Sequence, residues 1–200
     1  MPQVLPYLPI IAVIIVYAVR IAEVKKKRQT IPGIVQETRT FNLFLIIGTV
    51  MTFGSVAEYG IFRFPNFSWI AFVGGLVCAI LSFQIRWSAI AALGKFWSLH
   101  VEIREGHEFV QSGPFRVLRH PTYFSMILEL LAVGLLCSAW WTLLLVPVAL
   151  VPAIILRLRL EEPALVDKFG DKYREYQRRV PMLIPYKWPS AKWNTHADGL

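Results

Sequence analysis

An all-α, polytopic membrane helical bundle is the fold class this sequence predicts, and three observations carry it. The 200-residue chain is 56% hydrophobic and only 17% charged, too few charges to cover a water-facing surface of that size. Its mean hydropathy is +0.51. The apolar residues also gather into blocks of membrane-spanning length instead of alternating with polar ones. Thirteen prolines and twelve glycines fit this class, because both residues are commoner in spanning helices than in soluble ones.

About five transmembrane helices are expected. The first block, 4–22, ends at Lys25-Lys26-Lys27-Arg28; it lacks a basic front end and a small-residue cleavage site, so it reads as a membrane helix and not a removed signal peptide. The second, 41–61, runs into a short turn over 63–68 with Pro65 and Asn66. The third is uniformly apolar over 69–83 and continues as a more polar helical end through Arg86 to Leu93. The fourth and fifth, 123–136 and 140–158, form a helical hairpin around Ser138. Its first arm is short for a span of about 20 residues, which predicts tilting or burial against other helices. Pro147 and Pro152 each remove a backbone donor and should bend the fifth helix.

Basic residues orient the chain. Lys25–Arg28, Arg39, the 95–119 segment and the 168–192 tail fall on one side if that side is cytoplasmic, leaving only Arg63 opposite. The net charge of +8 is accounted for by anionic headgroups and this bias, so nucleic acid is not an expected partner. Cys78 and Cys137 lie in or beside apolar blocks without metal-ligand spacing, and no metal is expected. Three regions follow: 1–92, a three-helix transmembrane region; 93–185, a cytoplasmic lobe, hairpin and C-terminal helix; and 186–200, a polar tail.

Within 161–180, Leu165, Phe169, Tyr173, Tyr176 and Val180 recur at helical spacing, predicting one amphipathic helix. Pro163 suits a bend or first turn, and Gly170 weakens the middle. Just before it, Arg157 and Glu161 are four residues apart and can pair, with Glu162 adjoining. Such charges commonly mark a water interface; a guanidinium can also bind a carboxylate or phosphate bidentately, and a carboxylate favours a cation. His120, between Arg119 and Pro121, must sit in a turn before the fourth helix. It could cap that helix or line a wet pocket. Glu129, inside the fourth apolar block, is either a functional group or a structural hydrogen-bonding partner.

The order of these segments is more specific than any one of them. LGKFWS at 93–98, GHEFVQSGPF at 106–115, RHPTYF at 119–124 and RLRLEEPALVDKFGDKYREYQRRVPMLIP at 157–185 together resemble the isoprenylcysteine carboxyl methyltransferase family. That family lies within a wider group of membrane methyltransferases that includes the phospholipid N-methyltransferases. The resemblance implies an S-adenosyl-L-methionine pocket at the cytoplasmic membrane face, contacted by His107, Glu108, Phe109, Val110, Phe115, His120, Pro121, Thr122, Tyr123 and Glu161. It implies that Arg157 meets the substrate and Glu161 closes the cofactor site. Arg157, Glu161 and Glu162 are the expected catalytic set, with Glu161, Glu162 or His120 a candidate base for an amine acceptor. A tyrosine is usual where this chain has Phe115, so a hydroxyl hydrogen bond is lost there. Glu129 has no family role.

The function that follows is that of an integral, multi-pass membrane methyltransferase acting on a lipid-like acceptor among membrane lipids. Carboxyl O-methylation of an isoprenylcysteine or similar isoprenoid acid is favoured by Arg157; phospholipid N-methylation is the alternative. The membrane would be the plasma or inner membrane of a prokaryote, or the endoplasmic reticulum of a eukaryote. The KYREYQRRVPMLIP ending is also similar to that of NADPH-binding sterol reductases, which are longer chains. A non-enzymatic scaffold is the third reading.

Overall fold

The structure, a computed structural model, describes residues 7–25, 34–37, 39–62, 67–94, 101–103 and 110–187. Its helices follow the apolar blocks closely: α1 (Leu8–Lys25), α2 (Arg39–Ile61), α3 (Trp69–Leu93) and α4 (Pro121–Leu136). Next come α5 (Trp140–Leu143), α6 (Val151–Phe169) and α7 (Asp171–Arg179). Among the described residues, three stretches are long and apolar enough to cross a membrane, Asn42–Ile61, Trp69–Leu93 and Trp140–Phe169. The Pro121–Leu136 helix is apolar but shorter, as its sequence predicts. Ile70, Val73, Val77 and Ile80 of α3 are exposed, which is how a helix meets lipid.

Local chemistry sets the boundaries. Ser68 caps α3, its hydroxyl accepting from the Ala71 N–H at 3.2 Å. The Ser68 N–H donates to the Ser138 hydroxyl at 3.1 Å, tying the start of α3 to the turn between α4 and α5. The bend expected from the prolines is a π-helical turn over Val146–Leu150 that contains Pro147. A proline with no N–H interrupts the i→i−4 ladder, and the wider π turn is one way to continue past it.

Helix α4 lies along α3 for most of its length. Gly75 allows the approach: a β-carbon there would stand 2.8 Å from the Leu136 backbone nitrogen, too close for any side chain. The Ser82 hydroxyl donates across the interface to the Ser125 carbonyl at 2.8 Å. Apolar burial does not separate helix from lipid in a bilayer, so close packing and such polar contacts hold the pair.

Glu129 now has a structural explanation. Its carboxylate pairs with Arg86 of α3, and lies 3.8 Å from Arg20 Nε of α1. Arg20 in turn holds Glu23 at 2.8 Å, and Arg86 Nε donates to the Ser125 hydroxyl at 3.0 Å. Four charges of zero net sum thus link three helices.

The described fold is all-α apart from one short strand pair, and one expected helix is divided in two. Ile34–Glu37 (β1) and Val101–Ile103 (β2) pair antiparallel, with Ile34 opposite Ile103 and an irregularity between Val35 and Glu37. Strands of four and three residues are too short for an alternating pattern to register in a sequence. The single amphipathic helix is two helices, because Gly170 takes φ +58° and ends α6. Pro163 sits inside α6, well past its first turn. The predicted apolar face survives the break. Tyr173, Tyr176 and Val180 form one cluster with Leu165 and Phe169.

Removing one partner of a buried ion pair strands the other charge. Glu129→Ala should therefore cost about 3–5 kcal/mol, read as denaturant unfolding in detergent, and the Glu129→Ala/Arg86→Leu double variant should recover part of that loss. Additive losses would show that the four charges do not act as one network.

Candidate active site

The site forms where the start of α4 meets the end of α6. His120 is the N-cap of α4 at φ −128° and ψ 64°, with Pro121 next, and its side chain makes no capping hydrogen bond. The extended backbone that a proline imposes on its predecessor leaves two N–H groups to satisfy. The Arg119 and His120 N–H groups donate to the Pro181 and Met182 carbonyls at 2.9 and 3.1 Å. The VPMLI segment after α7 thus returns to brace the turn, and Pro181 and Leu183 are buried there.

On α6, Arg157 and Glu161 occupy one face. Arg157 Nε donates to Glu161 Oε1 at 2.8 Å and to the Tyr123 hydroxyl at 3.2 Å, while Nη1 donates to the Thr40 hydroxyl at 2.6 Å. Tyr123 also donates to Glu161. Arg157 is only 2% exposed, so its charge is held rigidly by three helices.

Glu162 gathers a second set. His120 Nε2 lies 3.0 Å from its Oε1, and Arg119 donates to the same oxygen. Gln177 donates to Oε2 at 2.9 Å, and the Tyr173 hydroxyl reaches Oε1 at 3.5 Å. The other imidazole nitrogen, Nδ1, stands 3.8 Å from Glu161 Oε2. His120 therefore bridges the two carboxylates. Burial raises the Tyr173 and Tyr176 phenols above their ordinary range, so both remain donors. Tyr176 donates to the Phe115 carbonyl at 2.6 Å, fixing the 3₁₀ turn Gly113–Arg116 against α7.

The predicted site residues fare differently. Arg157, Glu161, Glu162, His120 and Tyr123 come together in one polar knot, with Pro121 buried and Thr122 half-buried at the head of α4. Phe115 meets the assembly through its backbone carbonyl, accepting the hydroxyl of Tyr176. Val110 is half-buried at the approach to the 3₁₀ turn. His107, Glu108 and Phe109 lie outside the described residues. Arg159, two residues from Arg157 on α6, is exposed. Sequence reasoning missed Thr40, Arg119, Tyr173 and Gln177 as participants. Tyr173 and Gln177 are four residues apart, a spacing that puts both on one face of α7; Thr40, distant in sequence, gave no signal.

Arg119, already on Glu162 through Nη1, and Arg116, three residues before it, each keep one buried nitrogen. Arg116 Nε and Arg119 Nε have no hydrogen-bond partner among the described residues. Buried guanidinium nitrogens left this way are costly, so an anionic group completing them is chemically well matched.

The model of the isoprenylcysteine carboxyl methyltransferase family matches residues 73–167, spanning α4 and nearly all of α6. Protein-S-isoprenylcysteine O-methyltransferase B of Arabidopsis thaliana is 30% identical over 149 residues, covering 66% of this chain and 70% of the relative. The chain belongs to the isoprenylcysteine carboxyl methyltransferase family. A methanethiol S-methyltransferase of Crocosphaera subtropica is 28% identical over 163 residues, 75% of this chain and 61% of that protein. The solved structure of a eukaryotic intramembrane Ras methyltransferase, itself an isoprenylcysteine carboxyl methyltransferase, superposes with a TM-score of 0.60. At 24% identity, over 69% of this chain and 52% of that one, it establishes a shared membrane fold. The chain spans about half to three-fifths of the length of several other curated relatives.

If Glu162 is what fastens α7 to the rest, Glu162→Ala should accelerate amide hydrogen exchange across Asp171–Arg179 by about tenfold or more and leave α3 protected. Unchanged exchange in α7 would place its anchoring in the Tyr173–Tyr176–Val180 cluster alone.

Proposed function

We propose that this chain is an integral-membrane, S-adenosyl-L-methionine-dependent methyltransferase acting on a lipid-like acceptor at the cytoplasmic face. Residues 93–185 would carry the chemistry. The acceptor class we favour is a carboxylate, an isoprenylcysteine or similar isoprenoid acid. The observation that supports this reading is the sharing of Glu161 by Arg157 and His120. A turn residue and a helix residue from separate motifs meet at one acid.

The residues present fit the cofactor. Glu161 and Glu162 give a negative field for its cationic centre, and the unpartnered Arg116 and Arg119 nitrogens suit its carboxylate. Val110, Phe115, His120, Pro121, Thr122, Tyr123 and Glu161 would hold it, joined by His107, Glu108 and Phe109. When bound, it supplies a methyl group on a positively charged sulfur that is open to in-line displacement.

The chain's own contribution is alignment and exclusion of water. Tyr123, Thr40 and Glu161 hold the Arg157 guanidinium in one orientation, from which it would aim an acceptor carboxylate. Alignment of this kind contributes several kcal/mol, up to about 10 in the best cases. A carboxylate arrives ionised, so no base is required. Burial strengthens each of these electrostatic contacts. An apolar tail would enter from the bilayer.

A second reading has its own support. An acceptor that must lose a proton, such as a phospholipid amine or the small thiol used by the methanethiol enzymes, needs a base. His120 paired with Glu162 at 3.0 Å could serve as one.

Purified protein given methyl-labelled S-adenosylmethionine should transfer label to a farnesylcysteine analogue as a base-labile ester, and little to phosphatidylethanolamine or methanethiol. Arg157→Ala and Glu161→Gln should each lower kcat/KM by about 10²-fold or more without lowering the unfolding midpoint to the same degree. Base-stable label on the amine, or a methylated thiol, would transfer the assignment to the second reading.

A further inference from the structure

At the far end of α2 from the candidate active site lies a cavity of about 130 Å³ with Glu58, Tyr59, Phe62, Phe67, Trp140 and Trp141 in its lining. Thr40, which touches Arg157, and Glu58 are eighteen residues apart on α2, about 27 Å at the helical rise. That is close to the thickness of a bilayer's hydrocarbon core, about 30 Å. With one end at the active site, the cavity falls at the opposite membrane face. Phe62, Trp140 and Trp141 are each at least half exposed there, the level at which aromatic side chains meet headgroups.

An aromatic belt alone needs no ligand, but this cavity has a carboxylate in its wall. Glu58 accepts the Trp141 and Thr142 N–H groups at 3.0 and 2.8 Å and the Thr142 hydroxyl at 2.7 Å. These neutral donors fix the carboxylate without cancelling its charge. Among the described residues no basic side chain pairs with it. Aromatic side chains lining a cavity together with an anchored carboxylate are the chemistry that selects an ammonium group, since aromatic rings and carboxylate both attract a cation. The volume is well below that of a pocket for a whole drug-sized ligand, and suits one headgroup with its acyl chains left in the bilayer.

We propose that this cavity binds the ammonium headgroup of a zwitterionic phospholipid in the leaflet opposite the active site. The site is independent of the methyl-transfer reading, because none of its residues belongs to the polar knot around Glu161 and Glu162. It requires only that the chain spans the membrane.

Native mass spectrometry of the full chain, released from nanodiscs of equal phosphatidylcholine and phosphatidylglycerol, tests it. One phosphatidylcholine should stay bound in preference to phosphatidylglycerol. Glu58→Gln, which keeps an acceptor for the helix but loses the charge, should weaken that preference about tenfold, and so should Trp141→Ala. Trp141 is 72% exposed, so its variant keeps the test valid if Glu58→Gln does not fold. Glu161→Gln should leave the preference intact. Equal retention of the two lipids would overturn the proposal. So would a preference that survives both cavity variants, or one that Glu161→Gln abolishes, which would put the ammonium group in the active site.

Discussion

Where the start of α4 meets the end of α6, the bundle is organised by two adjacent carboxylates, Glu161 and Glu162. Glu161 takes hydrogen bonds from Arg157 and Tyr123; Glu162 takes them from Arg119 and Gln177 and lies 3.0 Å from His120 Nε2. Through them α6 is joined to the α4 turn and to α7, while Arg157 reaches α2 through Thr40. Consecutive residues on a helix point about 100° apart, so two neighbouring acids can collect partners on two sides. Glu161 meets both the His-Pro turn and Tyr123, and Glu162 adds Arg119 and the α7 side chains. Buried acids are tolerated only with such donors around them.

The rest of the bundle follows the same physics. Lipid competes with protein for apolar surface, so helices in a bilayer are registered by close contact and by polar pins. Helix α2 is pinned to the α5–α6 rod at both ends, by Thr40 on Arg157 and by Glu58 on Trp141 and Thr142. Helix α4 is pinned to α3 by Ser82, Ser125 and the Arg86–Glu129 pair, with Gly75 allowing the backbones to meet. These contacts set where His120 and Arg157 stand relative to each other.

Much of this was legible in the sequence, for reasons that can be named. Long apolar blocks admit one solution in lipid, which is why Trp69–Leu93 was bounded correctly. Arg157 and Glu161 pair because four residues make a helical turn. The His-Pro turn announced itself by an ionisable residue before a proline. What escaped detection was non-local or stereochemical. No pattern links Thr40 to Arg157 across the sequence, and nothing marked Glu129 as the partner of Arg86 and Arg20. Helix propensity makes Gly170 only a weak point within one helix, whereas its positive φ ends α6 outright. The β1–β2 pair was hidden because neither strand is long enough to show alternation.

The central claim is that an acidic pair beside the His-Pro turn receives a cationic methyl donor. Calorimetric titration of the full chain with S-adenosylmethionine and with its demethylated, uncharged thioether product tests this directly. The account predicts that both bind, and that Glu161→Gln weakens the charged sulfonium more than the neutral thioether. Equal weakening of the two, or binding of NADPH with neither of them, would contradict it.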